Sequence, residues 1–116
     1  MTTTVDAYLA SWNATGDART QLIAQHFAPG VTYTDPMAEV AGHDGLDALI
    51  GAVQEQFPGF VFSPVGEADA HHRQLRFNWG LGPAGEEPVV VGFDVVVVDE
   101  DGRIRDVRGF LDKVPA

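Results

Sequence analysis

Asp94 stands in the run Val89-Val90-Val91-Gly92-Phe93-Asp94-Val95-Val96-Val97-Val98, whose other members are all apolar or glycine. A strand alternates its side chains between two faces, so Gly92, Asp94, Val96 and Val98 share one and Phe93, Val95 and Val97 the other. A strand apolar on both faces is normally covered on both, which buries Asp94 whichever way it points. Burying an unpaired ionised carboxylate is costly, so such a group raises its pKa and keeps its proton. A neutral carboxylic acid among apolar walls is a hydrogen-bond donor suited to an oxygen that gathers negative charge. The same sequence also fits an Asp at a bulge or sheet edge, reaching water or a backbone amide.

Asp35 closes the stretch Val31-Thr32-Tyr33-Thr34-Asp35, just before Pro36. Asp-Pro is a common turn opener. Alternation also points Val31, Tyr33 and Asp35 the same way, which sets a phenol beside a carboxylate. Two carboxyl groups in one apolar cavity, one ionised as base and one protonated as donor, make a proton-transfer site.

The elements that must position these groups read helix first and strand later. Val5, Tyr8, Leu9 and Trp12 recur at helical spacing, with Thr4 or Asp6 as cap and Gly16-Asp17 as the break. Leu22, Ile23 and Phe27 mark a second helix that Pro29-Gly30 stops, and Val31 to Asp35 a first strand. After Gly42, the stripe Leu46, Leu49, Ile50, Val53 and Phe57 marks a third helix, ended by Pro58-Gly59. Four strands follow: Phe60 to Val65, His71 to Leu81, Val89 to Val98 and Arg103 to Lys113, the last two joined at Asp101-Gly102. Helices followed by an antiparallel meander define an α+β domain with helices on one face of a curved sheet. Within it, Leu75, Phe77 and Trp79 share the face of Asp94, with Val107, Gly109 and Leu111 from the last strand. Tyr8, Trp12, Tyr33, Met37, Val53 and Phe57 close the other side. Such walls suit a planar, largely apolar and cyclic carbonyl compound such as a polycyclic ketone, and the same residues also suffice as an ordinary core.

Composition narrows the classes. A length of 116 residues fits one domain, 1–116, and 45% hydrophobic against 21% charged residues supports a core. The absence of cysteine excludes disulfides, thiol catalysis and Cys-based metal sites. Seventeen acidic against seven basic residues, a formal charge of −10, speaks against nucleic acid and against an anionic membrane surface. With no apolar run near the ~20 residues of a membrane span and no basic-then-apolar leader, a cytoplasmic protein is expected. Gly80-Leu81-Gly82-Pro83-Ala84-Gly85 matches a dinucleotide fingerprint but precedes no helix. Asp99-Glu100-Asp101-Gly102 is a charged turn lacking the other ligands of a calcium loop, and no metal or organic cofactor is expected. His43 and Asp47 lie four apart at a helix start, where a solvated first turn is the simpler reading. His26 fits either a helix cap or the cavity mouth.

The chain resembles the nuclear-transport-factor-2-like superfamily, in its ketosteroid-isomerase and SnoaL-like polyketide-cyclase branches. The residues that carry the resemblance are Gly16-Asp17, Phe27-Ala28-Pro29, Tyr33-Thr34-Asp35-Pro36, Gly42, and Phe93 through Ile104. It implies a cone of three helices against a curved, mostly antiparallel sheet around a deep pocket, often as a homodimer. It also implies that Asp35 shuttles a proton and that Asp94 is the protonated member of an oxyanion hole, a case the physical chemistry of neutral carboxylic acids already describes. The oxyanion tyrosine of those isomerases has its nearest match in Tyr8, one residue off in spacing, with Tyr33 the other candidate. A supporting tyrosine is replaced by Ile50 and a tryptophan by Leu111. The expected function is a small-molecule isomerase or cyclase working by carboxylate-mediated proton transfer α to a carbonyl. The alternatives are an epoxide hydrolase using the same pocket, and a non-catalytic ligand-binding or dimerisation module with Asp94 solvated or paired to Arg76 or Arg108.

Overall fold

A computed structural model describes residues 2–115. The apolar spacing of Val5, Tyr8, Leu9 and Trp12 builds α1 (Thr2–Asn13), which buries all four side chains. This helix starts ahead of Thr4 and Asp6, so neither caps it. It ends before Ala14 and Thr15, and Gly16 at φ +56° already opens α2 (Gly16–His26). Strand β1 (Phe27–Thr34) follows without a loop, so Phe27 is a strand residue and Pro29-Gly30 lies inside the strand rather than stopping a helix. A turn at Asp35–Ala38 leads to β2 (Glu39–Ala41), too short to leave an alternating pattern. The stripe after Gly42 forms α3 (Gly42–Gln56), with Leu46 and Ile50 fully buried.

Strand β3 (Phe60–His71) runs well past Val65. Its far half, Gly-Glu-Ala-Asp-Ala, has little intrinsic preference for a strand. Pairing supplies what propensity lacks: beyond a register shift between Val65 and Asp69, Ala70 sits opposite Leu75 of β4 (Gln74–Pro83). Strands β5 (Val90–Val98) and β6 (Ile104–Lys113) complete the sheet. All six strands form one sheet in the order β2-β1-β6-β5-β4-β3, antiparallel except where β1 runs parallel to β6.

That order corrects the expected cone. Three helices and a mixed α+β sheet are present, but the sheet is neither closed nor strongly curled around a deep pocket. Its edges, β2 and β3, stay apart, and a three-residue β2 offers β3 almost nothing to pair with. Closure demands a continuous hydrogen-bonded circuit that these edges do not make. The cavity is formed instead where helices lie across one face of an open sheet. Along β5 this face is buried, while Val91, Phe93, Val95 and Val97 on the other face are only half-buried. The strand is therefore not covered on both sides, as its composition suggests. The core joins α1, Ile23 of α2, and Leu46 and Ile50 of α3 to Leu75, Phe77, Val96, Ile104 and Val107 of the sheet. Among the described residues, no helix is long and apolar enough to cross a membrane.

Candidate functional site

Asp94 points to the helix-covered face of β5 and is 2% exposed. In register it lies between Phe77 of β4 and Gly109 of β6. Gly109 makes the room: a Cβ there would come within 2.7 Å of Asp94 Oδ1 and 3.4 Å of the Asp35 Cβ. The hydroxyl of Tyr8, reaching across from α1, donates to Asp94 Oδ2 at 2.7 Å. Burial pushes the Asp94 carboxyl up to about 6, with Tyr8 and the Trp79 indole N–H pulling the other way and the charge of Asp35 adding to the rise. Burial likewise raises the Tyr8 phenol well above its ordinary value, and the neighbouring Asp94 carboxylate raises it further. Arg76 and Arg108 pair with Asp69 and Asp106, so neither neutralises Asp94.

Asp35 sits just past the end of β1 and serves two purposes. Its Oδ1 accepts the backbone N–H of Met37 at 2.8 Å and of Ala38 at 2.9 Å, which fixes the turn into β2. Its Oδ2 accepts the Tyr33 hydroxyl at 2.6 Å, the two side chains pointing the same way. Burial drives the Tyr33 phenol far above its ordinary value, followed by the charge of Asp94 and the bond to Asp35. Two tyrosine–carboxylate pairs thus stand side by side, one from α1 to β5 and one within the end of β1.

A cavity of about 250 Å³ opens between the helices and the sheet, with Tyr8, Tyr33 and Asp35 on its wall. Trp12, Met37, Val53, Phe57, Trp79 and Leu111 also line it. Met37 stands at the mouth, 80% exposed. Leu75, Phe77 and Val107 pack in the core instead, and Asp94 and Gly109 lie off the wall, with Tyr8 between the cavity and the Asp94 carboxyl. Leu9, Leu49, Phe62, Leu81 and Val90 line the cavity too, as do Gln56, Val114 and Pro115. Leu9 and Leu49 belong to stripes visible in the sequence, whereas no local pattern marks the chain's last turn as a cavity wall. Trp79 takes its position because Gly92 opposite has no side chain: a Cβ there would lie 2.1 Å from the indole.

Among the described residues, the wall carries no lysine, arginine or histidine. His26 ends α2 away from the cavity, and His43 Nε2 is 2.8 Å from the Phe27 carbonyl. Asp47 is engaged by Arg19 and Thr20 rather than by His43. Among the described residues, no group of three or more His, Cys, Asp or Glu could hold a metal ion. One buried side-chain polar atom among them lacks a partner, the indole nitrogen of Trp12.

Helices across one face of a mixed sheet, enclosing an aromatic cavity with paired carboxyl groups, define a helix-capped α+β pocket protein. Residues 5–107 match the SnoaL-like domain model, so the chain belongs to the SnoaL-like family, within the NTF2-like superfamily of isomerases and cyclases. It is 38% identical, over 95% of both chains and with a TM-score of 0.90, to a candidate isomerase of the SnoaL-like family from Agrobacterium tumefaciens str. C58. The fold is shared with a candidate ketosteroid isomerase from Kribbella flavida DSM 17836, at 16% identity and TM-score 0.72, covering 98% of this chain and 78% of that one. It is shared as well with a candidate SnoaL-like polyketide cyclase from Jannaschia sp. CCS1, at 17% identity and TM-score 0.73, covering 96% and 86%. No curated protein matches the sequence.

Proposed function

We propose that the protein is a cofactor-independent isomerase or cyclase that moves a proton α to a carbonyl. The observation that carries this reading is the pair of tyrosine–carboxylate couples, Tyr33–Asp35 at 2.6 Å and Tyr8–Asp94 at 2.7 Å, beside a cavity whose other lining residues are mostly apolar, with Gln56 the polar exception. Likeness to the Agrobacterium candidate isomerase supports it. Asp35, on the wall, takes the proton from carbon. Tyr8 gives a hydrogen bond to the oxygen that becomes an enolate, in a site poor in water where such a bond counts for more than in solution. Asp94 acts through Tyr8 rather than on the substrate. While ionised it holds the Tyr8 proton for itself, and once protonated it donates to the phenol oxygen and frees that proton for the substrate. Returning the carbon-bound proton to another position migrates a double bond, and attack of the carbanion on a second carbonyl closes a ring.

Asp35→Asn removes the base while keeping its shape, and should lower turnover of a cyclic ketone by about 10²–10⁴. Unchanged turnover would overturn the assignment. Running the reaction in ¹⁸O-labelled water separates this chemistry from epoxide opening: an epoxide hydrolase incorporates solvent oxygen and an isomerase does not.

A further inference from the structure

Asp35 is held by more partners than a base needs. A carboxyl group acting as a base offers about four lone-pair positions, two on each oxygen. Both positions on Oδ1 are taken, by the backbone N–H of Met37 at 2.8 Å and of Ala38 at 2.9 Å. One on Oδ2 is taken by the Tyr33 hydroxyl at 2.6 Å. Among the described residues no other donor reaches the group, which leaves one open position, on Oδ2. The holders are themselves fixed. The Asp35 N–H donates to the Ala38 carbonyl at 2.9 Å, closing the turn from both sides, and Pro36 stiffens it. Tyr33 is 3% exposed, its ring against Trp12 at a centroid distance of 5.7 Å. Burial drives its phenol far above the ordinary value, so it keeps its proton and remains a donor. Turning the carboxyl plane toward another substrate atom would break three hydrogen bonds at once.

We propose that Tyr33 is a positioning residue: by occupying one lone pair of Asp35 Oδ2 it leaves a single proton-accepting direction, so that only one of the two hydrogens of an α-CH₂ group is removed and replaced. This role rests on the proton-transfer reading for the reaction, whereas the single open lone pair rests on the geometry alone. In the step, the C–H bond breaks, its proton joins Oδ2, and its electron pair passes to the carbonyl oxygen. Asp35 is half-buried at the cavity wall, so the proton it has gained exchanges with solvent before it returns to the same face of the carbon. The other hydrogen of the CH₂ group points away from Oδ2, and a carboxyl group pinned at both oxygens cannot follow it. A ligand that flips about its carbonyl axis presents its other α-carbon to Asp35, not the second hydrogen of the first. The two tyrosines thus divide the work, Tyr8 serving the reacting oxygen and Tyr33 the base.

Counting deuterium tests this. β-Tetralone, a two-ring ketone, carries two mirror-related hydrogens on its benzylic α-carbon, and buffer alone replaces both alike. In deuterium oxide with the wild-type protein, half of that proton NMR signal should vanish quickly and the rest at the buffer rate, the ketone at the plateau carrying one deuterium. Tyr33→Phe keeps the ring and removes the donor. It should still exchange faster than buffer, within about tenfold of wild type, but replace both hydrogens with no plateau. Asp35→Glu lengthens the stem, so that the carboxyl group no longer accepts from the turn and from Tyr33 together, and should lose the plateau as well. A Tyr33 that only fills space would alter the rate on substitution and keep the plateau. A plateau retained by Tyr33→Phe or, should that variant fail to fold, by Asp35→Glu would overturn the role. So would a wild type that replaces both hydrogens alike. A wild type that exchanges no faster than buffer would instead overturn the proton-transfer reading, and the role of Tyr33 with it.

Discussion

A single buried carboxyl couples this protein's stability to its chemistry. Asp94 titrates near 3.8 when the chain is unfolded and at about 6 when folded, because burial disfavours its charge. Between those values the folded state binds more protons, so its stability falls as pH rises from about 4 to about 6 and levels off above. The shift corresponds to about 3 kcal/mol in total. Asp94→Asn lacks this dependence and should be more stable than wild type at pH 7 by ~1–3 kcal/mol. Urea midpoints at pH 4 and pH 8 check the sign. A variant destabilised at pH 8 alone would identify Asp94 as the ionised half of a structural pair, since losing one partner strands the other. Tyr8→Phe makes a complementary case. It removes a hydrogen bond that holds the Asp94 pKa down, so the carboxyl should titrate above 6, which carbon-detected NMR of the labelled aspartate reads directly.

At the scale of elements, the strands beside the site depend on missing side chains. Gly92 lets the Trp79 indole lie against β5, and a Cβ would sit 2.1 Å from it. Gly92→Ala should destabilise the fold by ~1–3 kcal/mol through overpacking and displace Trp79 from the cavity wall, measurable as a lower urea midpoint and altered tryptophan fluorescence. The same elements show how far a sequence can be read. The α3 stripe is a local pattern and the helix is visible in it, whereas the alternation around Asp94 groups the residues by face without showing which face the helices cover. Strand β2 and the far half of β3 exist because a neighbouring strand pairs with them, a long-range gain that no local pattern records. The open sheet was illegible for the same reason, because whether two edges meet depends on their lengths and separation in space. Tyr8 and Asp35 could be picked out by residue type and position. That Tyr8 intervenes between the cavity and Asp94 could not, since it depends on how α1 lies across β5.

At the scale of the whole molecule, the outer sheet face carries Phe93 and Phe110 opposite each other, the latter 59% exposed, beside half-buried Val95 and Val97. Exposed Arg76 and Arg108 and the acidic Asp69 and Asp112 flank this strip, giving both signs of charge to one surface. We propose that a second copy covers it. Light scattering should report a dimer, and Phe110→Glu a monomer with its cavity intact, whereas a wild-type monomer at high micromolar concentration would rule this out. The central claim, proton transfer α to a carbonyl, is tested most directly by proton NMR of β-tetralone in deuterium oxide. The wild type should accelerate loss of the α-proton signal above the buffer rate. That acceleration should decline as pH rises through about 6, where Asp94 ionises and reclaims the Tyr8 proton, and Asp35→Asn should remove it. Exchange no faster than buffer at any pH, or equally fast with Asp35→Asn, would contradict the account.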